Sequence, residues 1–169
     1  MNSCDQKKLE ALAAEVGALL LANGQKLATA ESCTGGWVAQ CMTSVAGSSD
    51  WFERGFVTYS NEAKHEMLGV GFETLISHGA VSEATAAAMA AGALRNSHAD
   101  WALAITGVAG PGGGSPDKPV GTVCFAWAGP EGRLEVTTCH FHGGREEIRA
   151  QSVAYALAGV LQRAGHLAA

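Results

Sequence analysis

The stretch from Lys26 to Val45 constrains the fold more than any other part of the chain. Residues 26–30 read as a short buried strand. They run directly into Glu31-Ser32-Cys33-Thr34-Gly35-Gly36, and residues 37–45 then read as a helix. A strand, a tight glycine turn and a helix therefore follow one another with no spacer. Elements that alternate in this way favour a parallel sheet covered by helices.

The rest of the chain continues the alternation. Leu9, Leu12, Val16, Leu19 and Leu20 repeat at helical spacing, so residues 6–22 are expected to be helical, with Asn23-Gly24 as the stop. Residues 55–59 read as a second strand. Ser60 can cap a helix over 61–68, residues 72–78 suggest a further helical turn, and Ser82 can cap an alanine-rich helix over 83–97. Residues 101–105 read as a third strand. Residues 120–128 and 134–141 read as a hairpin closed by Gly129-Pro130-Glu131-Gly132, and residues 145–162 as a last helix. The expected fold is a three-layer α/β/α sandwich with a mixed, mostly parallel sheet. The chain reads as one domain over residues 1–169, with no internal repeat and no linker.

Composition narrows the function classes. The net charge is −5 and no basic stripe is visible, which argues against nucleic acid as a main partner. The five cysteines lack C-x-x-C spacing, so neither a disulfide framework nor a zinc site is indicated. The first nine residues are polar, and no apolar run approaches the ~20 residues of a membrane span. A cytoplasmic location is expected. The 22 glycines cluster, most densely between Thr106 and Pro119, where a long loop is expected to carry function.

Ser32 is the leading candidate for chemistry. It lies where a strand gives way to a helix whose first N–H groups have no partner inside the helix and carry the positive dipole end. Thr34, Gly35 and Gly36 would offer such groups to a developing oxyanion. Equally, Ser32 can be read as a simple helix cap. Cys33 is a rival nucleophile, or a small buried side chain. Tyr59 and Lys64 flank the start of the Ser60-capped helix, where a cation is disfavoured. The Lys64 pKa is therefore expected to fall, which would make the residue a base, unless it is a solvated surface lysine. His140 and His142 would share a strand face and could bind metal, but no third ligand stands at metal spacing. Arg145 and Arg149, one turn apart, could clamp a phosphate or pair with nearby acids.

Several collinear motifs carry a resemblance. They are Ala30-Glu31-Ser32-Cys33-Thr34-Gly35-Gly36, Gly47-Ser48-Ser49, Trp51-Phe52, Gly55-Phe56-Val57-Thr58-Tyr59-Ser60-Asn61-Glu62-Ala63-Lys64, His78-Gly79-Ala80-Val81-Ser82, Thr106-Gly107-Val108-Ala109-Gly110-Pro111 and Lys118-Pro119-Val120-Gly121-Thr122-Val123. Together, over about residues 9–164, they resemble the CinA C-terminal family of nicotinamide-nucleotide amidohydrolases, in its stand-alone form. The resemblance implies hydrolysis of the carboxamide of nicotinamide mononucleotide to nicotinate mononucleotide and ammonia. It implies Ser32 as nucleophile with Lys64 and Tyr59 as partners, Lys64 taking the proton directly or through Tyr59. It also implies an α/β/α sandwich, an oligomer, no metal and no cofactor. In that setting backbone groups from Cys33 to Gly36 would hold the oxyanion. Thr106 and Gly107 would begin the loop that shapes the substrate pocket, and Arg145 would meet the phosphate. A non-catalytic nucleotide- or partner-binding domain and a metal hydrolase using His140 and His142 are the alternatives.

Overall fold

The computed structural model describes residues 6–166. Cys4 and most of the polar N-terminal segment lie outside the described residues. In chain order the elements are α1 (Gln6–Asn23), β1 (Leu27–Glu31), α2 (Trp37–Thr43), β2 (Phe52–Val57), α3 (Asn61–Leu68), α4 (Phe72–His78), α5 (Glu83–Arg95), β3 (Trp101–Gly107), β4 (Thr122–Ala128), β5 (Leu134–His140) and α6 (Arg145–His166). Short 3₁₀ turns at Ser48–Asp50 and Pro130–Gly132 precede β2 and close the hairpin.

The five strands form one sheet in the order β2-β1-β3-β4-β5. Strand β1 pairs in parallel with β2 and β3, whereas β4 runs antiparallel to both its neighbours. The sheet is mixed, as expected, and four strands point one way with β4 alone reversed. The chain leaves β1 toward β2 and returns across β1 to reach β3. The two crossovers run in opposite directions from β1, and open α/β sheets bind ligands beyond the carboxyl ends of strands at such a switch point.

The three central strands, β1, β3 and β4, alternate large with small, not apolar with polar. Leu27, Trp101, Leu103, Ile105, Val123, Phe125 and Trp127 face one layer, where they meet α1, α2 and α6. Ala28, Ala30, Ala102, Ala104, Ala126 and Ala128 face the other, where they meet α3, α4 and α5. A sheet covered on both sides has no need of a polar face. The alanine face lets α5 lie close against it, and α5 in turn presents Ala86, Ala90 and Ala93. The small side chains let α5 pack closely on the sheet, and α3, which carries Lys64, packs in turn on α5.

That closeness yields a stability prediction. A Cβ placed at Gly92 on α5 would overlap the Leu68 carbonyl at the end of α3. Gly92→Ala is expected to destabilise the protein by roughly 1–3 kcal/mol through overpacking, against the ~1 kcal/mol that alanine gains in a helix. Denaturant midpoints of the two proteins check this, and an unchanged or higher midpoint for the variant would contradict it.

Strand β2 departs from the sequence expectation. It spans Phe52–Val57 and not 55–59. Gly55, read as a start, lies inside the strand opposite Thr29, where a Cβ would approach Thr29 Oγ1 to 2.8 Å. A glycine within a strand marks such a close approach. Among the described residues, no helix is long and apolar enough to cross a membrane, and the four cysteines Cys33, Cys41, Cys124 and Cys139 are free thiols.

Candidate active site

The carboxyl ends of β1, β2 and β3 bring the candidate residues together. Ser32 follows β1, Thr58 and Tyr59 follow β2, and Thr106 and Gly107 end β3. The turn after β1 needs its glycines, since Gly35 and Gly36 both adopt positive φ, 60° and 100°. Ser32 donates its backbone N–H to the Ile105 carbonyl, which extends the β1–β3 ladder by one residue and seats Ser32 beside Thr106.

Lys64 reaches this point from the first turns of α3, whose start is capped by the Ser60 hydroxyl accepting from the Ala63 N–H at 3.0 Å. Lys64 is buried, 1% exposed. Its Nζ lies 2.9 Å from Ser32 Oγ, 2.9 Å from the Thr58 carbonyl and 3.2 Å from the Tyr59 carbonyl. Burial holds its pKa below the ordinary lysine range. In the neutral form two N–H groups donate to the two carbonyls, which can only accept, and the lone pair is left facing the Ser32 hydroxyl. The downward shift expected from the sequence is therefore present, with burial as its main cause.

Cys33 fits nucleophilic chemistry poorly. It is buried, and burial pushes its thiol up to about 12, so the thiolate is scarce near neutral pH. The Tyr59 side chain stands 64% exposed. Its hydroxyl lies 3.4 Å from Arg145 Nη2, while its backbone carbonyl accepts from Lys64 Nζ at 3.2 Å.

Two further residues shape the turn: Glu31, which the sequence left without a role, and Arg149, read there as half of a phosphate clamp. The buried Glu31 carboxylate accepts from the Val38 and Ala39 N–H groups at 2.9 and 3.1 Å and from the Thr34 hydroxyl at 2.7 Å. The Gly36 N–H also bears on it. Burial raises the carboxyl pKa, and these donors pull it back. Glu31 thus occupies the start of α2. Gly35 donates within the turn, to the Ser32 carbonyl at 3.0 Å. The N–H groups of Gly35 and Gly36, expected to face a ligand, are therefore engaged inside the turn. The sequence signal for Glu31 is an acid just before a glycine turn into a helix, where the dipole favours negative charge.

Arg149 is the second. From α6 its Nε and Nη2 donate to the Cys33 and Thr34 carbonyls at 3.0 and 3.1 Å, while its guanidinium lies over the Trp37 ring. It does not join Arg145 in a phosphate clamp. In a trans peptide the C=O and N–H point opposite ways. Holding the Cys33 carbonyl toward Arg149 turns the Thr34 N–H away from α6.

A cavity of about 170 Å³ opens over the pair, lined by Ser32, Cys33, Tyr59, Lys64, Ala80, Val81, Thr106, Gly107, Ala109 and Arg145. It is smaller than the ~300–1,000 Å³ typical of whole-ligand pockets. It suits the reacting end of a substrate, with the remainder passing out by Tyr59 and Arg145. His140 and His142 lie away from it. Strand β5 stops at His140, so the two do not share a strand face as expected, and His140 Nδ1 lies 3.3 Å from Thr122 Oγ1. Among the described residues, no group of three or more His, Cys, Asp or Glu side chains is placed to hold a metal ion.

A buried serine–lysine pair lies beneath an open cavity at the switch point of a doubly covered α/β sheet, where such sheets place their ligands. The chain belongs to the CinA C-terminal domain family, whose model matches residues 9–164. It is 54% identical over 156 residues to the nicotinamide-nucleotide amidohydrolase PncC of Escherichia coli (strain K12), covering 92% of this chain and 94% of that protein. Among solved structures, a competence/damage inducible protein from Agrobacterium tumefaciens superposes with a TM-score of 0.89 at 48% identity, covering 91% of this chain and 94% of that one. A CinA superfamily protein from Klebsiella pneumoniae gives a TM-score of 0.90 at 42% identity, covering 94% and 98%.

Proposed function

We propose that the chain hydrolyses the carboxamide of nicotinamide mononucleotide to nicotinate mononucleotide and ammonia, with Ser32 as nucleophile and Lys64 as base. The observation that carries the reading is Lys64 Nζ at 2.9 Å from Ser32 Oγ, buried and held by two carbonyls. The names of the E. coli relative and of a 50% identical relative from Enterobacter agglomerans support the substrate.

The reaction runs in two halves. Neutral Lys64 takes the Ser32 proton as Oγ attacks the amide carbon. Negative charge collects on the carbonyl oxygen, where the Cys33 and Thr34 N–H groups are the candidate donors, Gly35 and Gly36 being engaged in the turn. Lys64 then gives its proton to the departing nitrogen, so ammonia leaves and an acyl-serine remains. Water enters, Lys64 takes its proton, and the ester breaks to release the acid and restore Ser32. No metal or redox cofactor enters any step. A cytoplasmic location and an oligomeric state belong to the same proposal. The second is supported by apolar side chains left in solvent, such as Ile76 and Phe72. Incubation with nicotinamide mononucleotide, read by ammonia release and by the mass of the product, tests the reading. No ammonia above that of a Ser32→Ala control would overturn it.

Arg145 is proposed to bind the substrate phosphate at the rim. Its guanidinium donates to the Gly110 carbonyl at 2.8 Å and approaches Tyr59 Oη, and other N–H groups of its five remain for a ligand. Arg145→Ala is expected to raise KM by roughly 10–100-fold, the worth of a charged hydrogen bond, with a smaller fall in kcat. Steady-state kinetics check this. A KM that stays at the wild-type value would move the phosphate elsewhere.

A further inference from the structure

Taking amide hydrolysis at Ser32 as its starting point, we infer that Thr106 is a specificity residue that accepts a hydrogen bond from the substrate –NH₂ and thereby selects the carboxamide over the carboxylate product. The argument begins with the register. Ala30 pairs with Ala104 and Glu31 with Ile105, so Ser32 and Thr106 form the next pair and lie side by side on one face of the sheet. Neighbouring strands stand about 4.8 Å apart. Both residues line the cavity, and both are buried.

The Thr106 hydroxyl has one proton, and that proton is already committed. Thr106 Oγ1 lies 2.7 Å from the Ala80 carbonyl oxygen. A carbonyl oxygen cannot donate, so the hydroxyl must. What Oγ1 presents to the cavity is lone pairs only. The Ala80 carbonyl belongs to the segment between α4 and α5, just before the Ser82 cap. The Ser82 and Thr85 hydroxyls both donate to the Gly79 carbonyl, at 2.9 and 2.7 Å. The segment that fixes the direction of the Thr106 proton is therefore itself pinned.

An acceptor beside the nucleophile reads the difference between an amide and an acid. When the substrate carbonyl oxygen faces the Cys33–Thr34 backbone, its –NH₂ is the group left to meet another side of the cavity, and it brings donors. The product carboxylate brings only lone pairs to the same place. Against Thr106 Oγ1 those lone pairs meet lone pairs, with no proton to share. A site built around a buried polar group rejects a ligand that cannot pair with it. Thr106 would hold the amide in place before attack and weaken the grip on the acid once ammonia has gone.

The test separates this from a structural role. Binding of nicotinamide mononucleotide and of nicotinate mononucleotide is measured by calorimetry on Ser32→Ala protein, alone and with Thr106→Val or Thr106→Ser. The Thr106→Val change is expected to weaken the amide roughly tenfold, the worth of one hydrogen bond in a buried site. It is expected to leave the acid unchanged or tighter, so the preference for amide over acid falls about tenfold or more. Thr106→Ser keeps the acceptor and is expected to keep the ratio. Thermal melts of each variant report on folding. Equal loss for both ligands in Thr106→Val, or an unchanged ratio, would overturn the inference. Failure of the Ser32→Ala protein to bind either mononucleotide at millimolar concentration would instead overturn the substrate reading, and the inference with it.

Discussion

Ser32→Ala is expected to lower amide hydrolysis by about 10⁴-fold or more, because the covalent route then has no nucleophile and only binding and backbone stabilisation remain. The loss should fall on kcat. The cavity keeps its shape, since a hydroxyl is removed and no backbone contact depends on it. The Ser32 N–H still donates to Ile105, and its carbonyl still accepts from Gly35. Cys33→Ser provides the contrast. The Cys33 thiol is buried and its pKa is pushed up to about 12, so replacing it removes no ready nucleophile. That variant is expected to keep most of the wild-type rate. Mass spectrometry of quenched turnover should find the acyl group on a peptide carrying Ser32. A dead Cys33→Ser together with an active Ser32→Ala would reverse the assignment.

Lys64 carries the second large effect. Lys64→Met is expected to cost at least ~100-fold in kcat, the lower end for removal of a general base. Methionine matches the buried stem and introduces no charge, so folding is expected to survive, and circular dichroism checks that. Lys64→Arg keeps a charge yet should be nearly inactive, because guanidinium holds its proton throughout the working pH range. The pH dependence follows from the sign of the shift. Burial lowers the Lys64 pKa from the ordinary value of about 10.4, and the catalytic form is the neutral amine. The neutral fraction grows with rising pH, so kcat/KM should rise through the lowered pKa and level off above it. A rate that stays flat down to pH 5, or near-normal turnover by either variant at pH 8, would exclude Lys64 as the base.

Much of this site is readable from the sequence because its signals are local. Ser60 and Ser82 each stand one residue before a helix, and in the structure both side chains accept the expected N–H. The glycines after Ser32 take the positive φ values that a tight strand-to-helix turn requires. The errors have equally physical sources. Gly55 looks like a boundary, and only the pairing with Thr29 shows it to be a close approach inside β2. His140 and His142 look like a strand pair, but β5 ends between them. Tyr59 is placed correctly in the chain, yet its ring turns outward to Arg145 while its carbonyl meets Lys64.

The sequence by itself determined the alternation of elements, the caps, the turn after β1 and the family, since all of these are written in neighbouring residues or in the order of motifs. Only the tertiary structure decided which groups meet and which of them burial shifts. Lys64 loses its ordinary basicity because the layers close over it, and no local spacing encodes burial. Arg149 orients the Cys33 and Thr34 peptides from 116 and 115 positions away. The Thr106 proton points to Ala80 because a segment 26 positions earlier folds back against it. The direction of a hydrogen bond between distant residues depends on where the chain returns in space, and packing against both faces of the sheet sets that return.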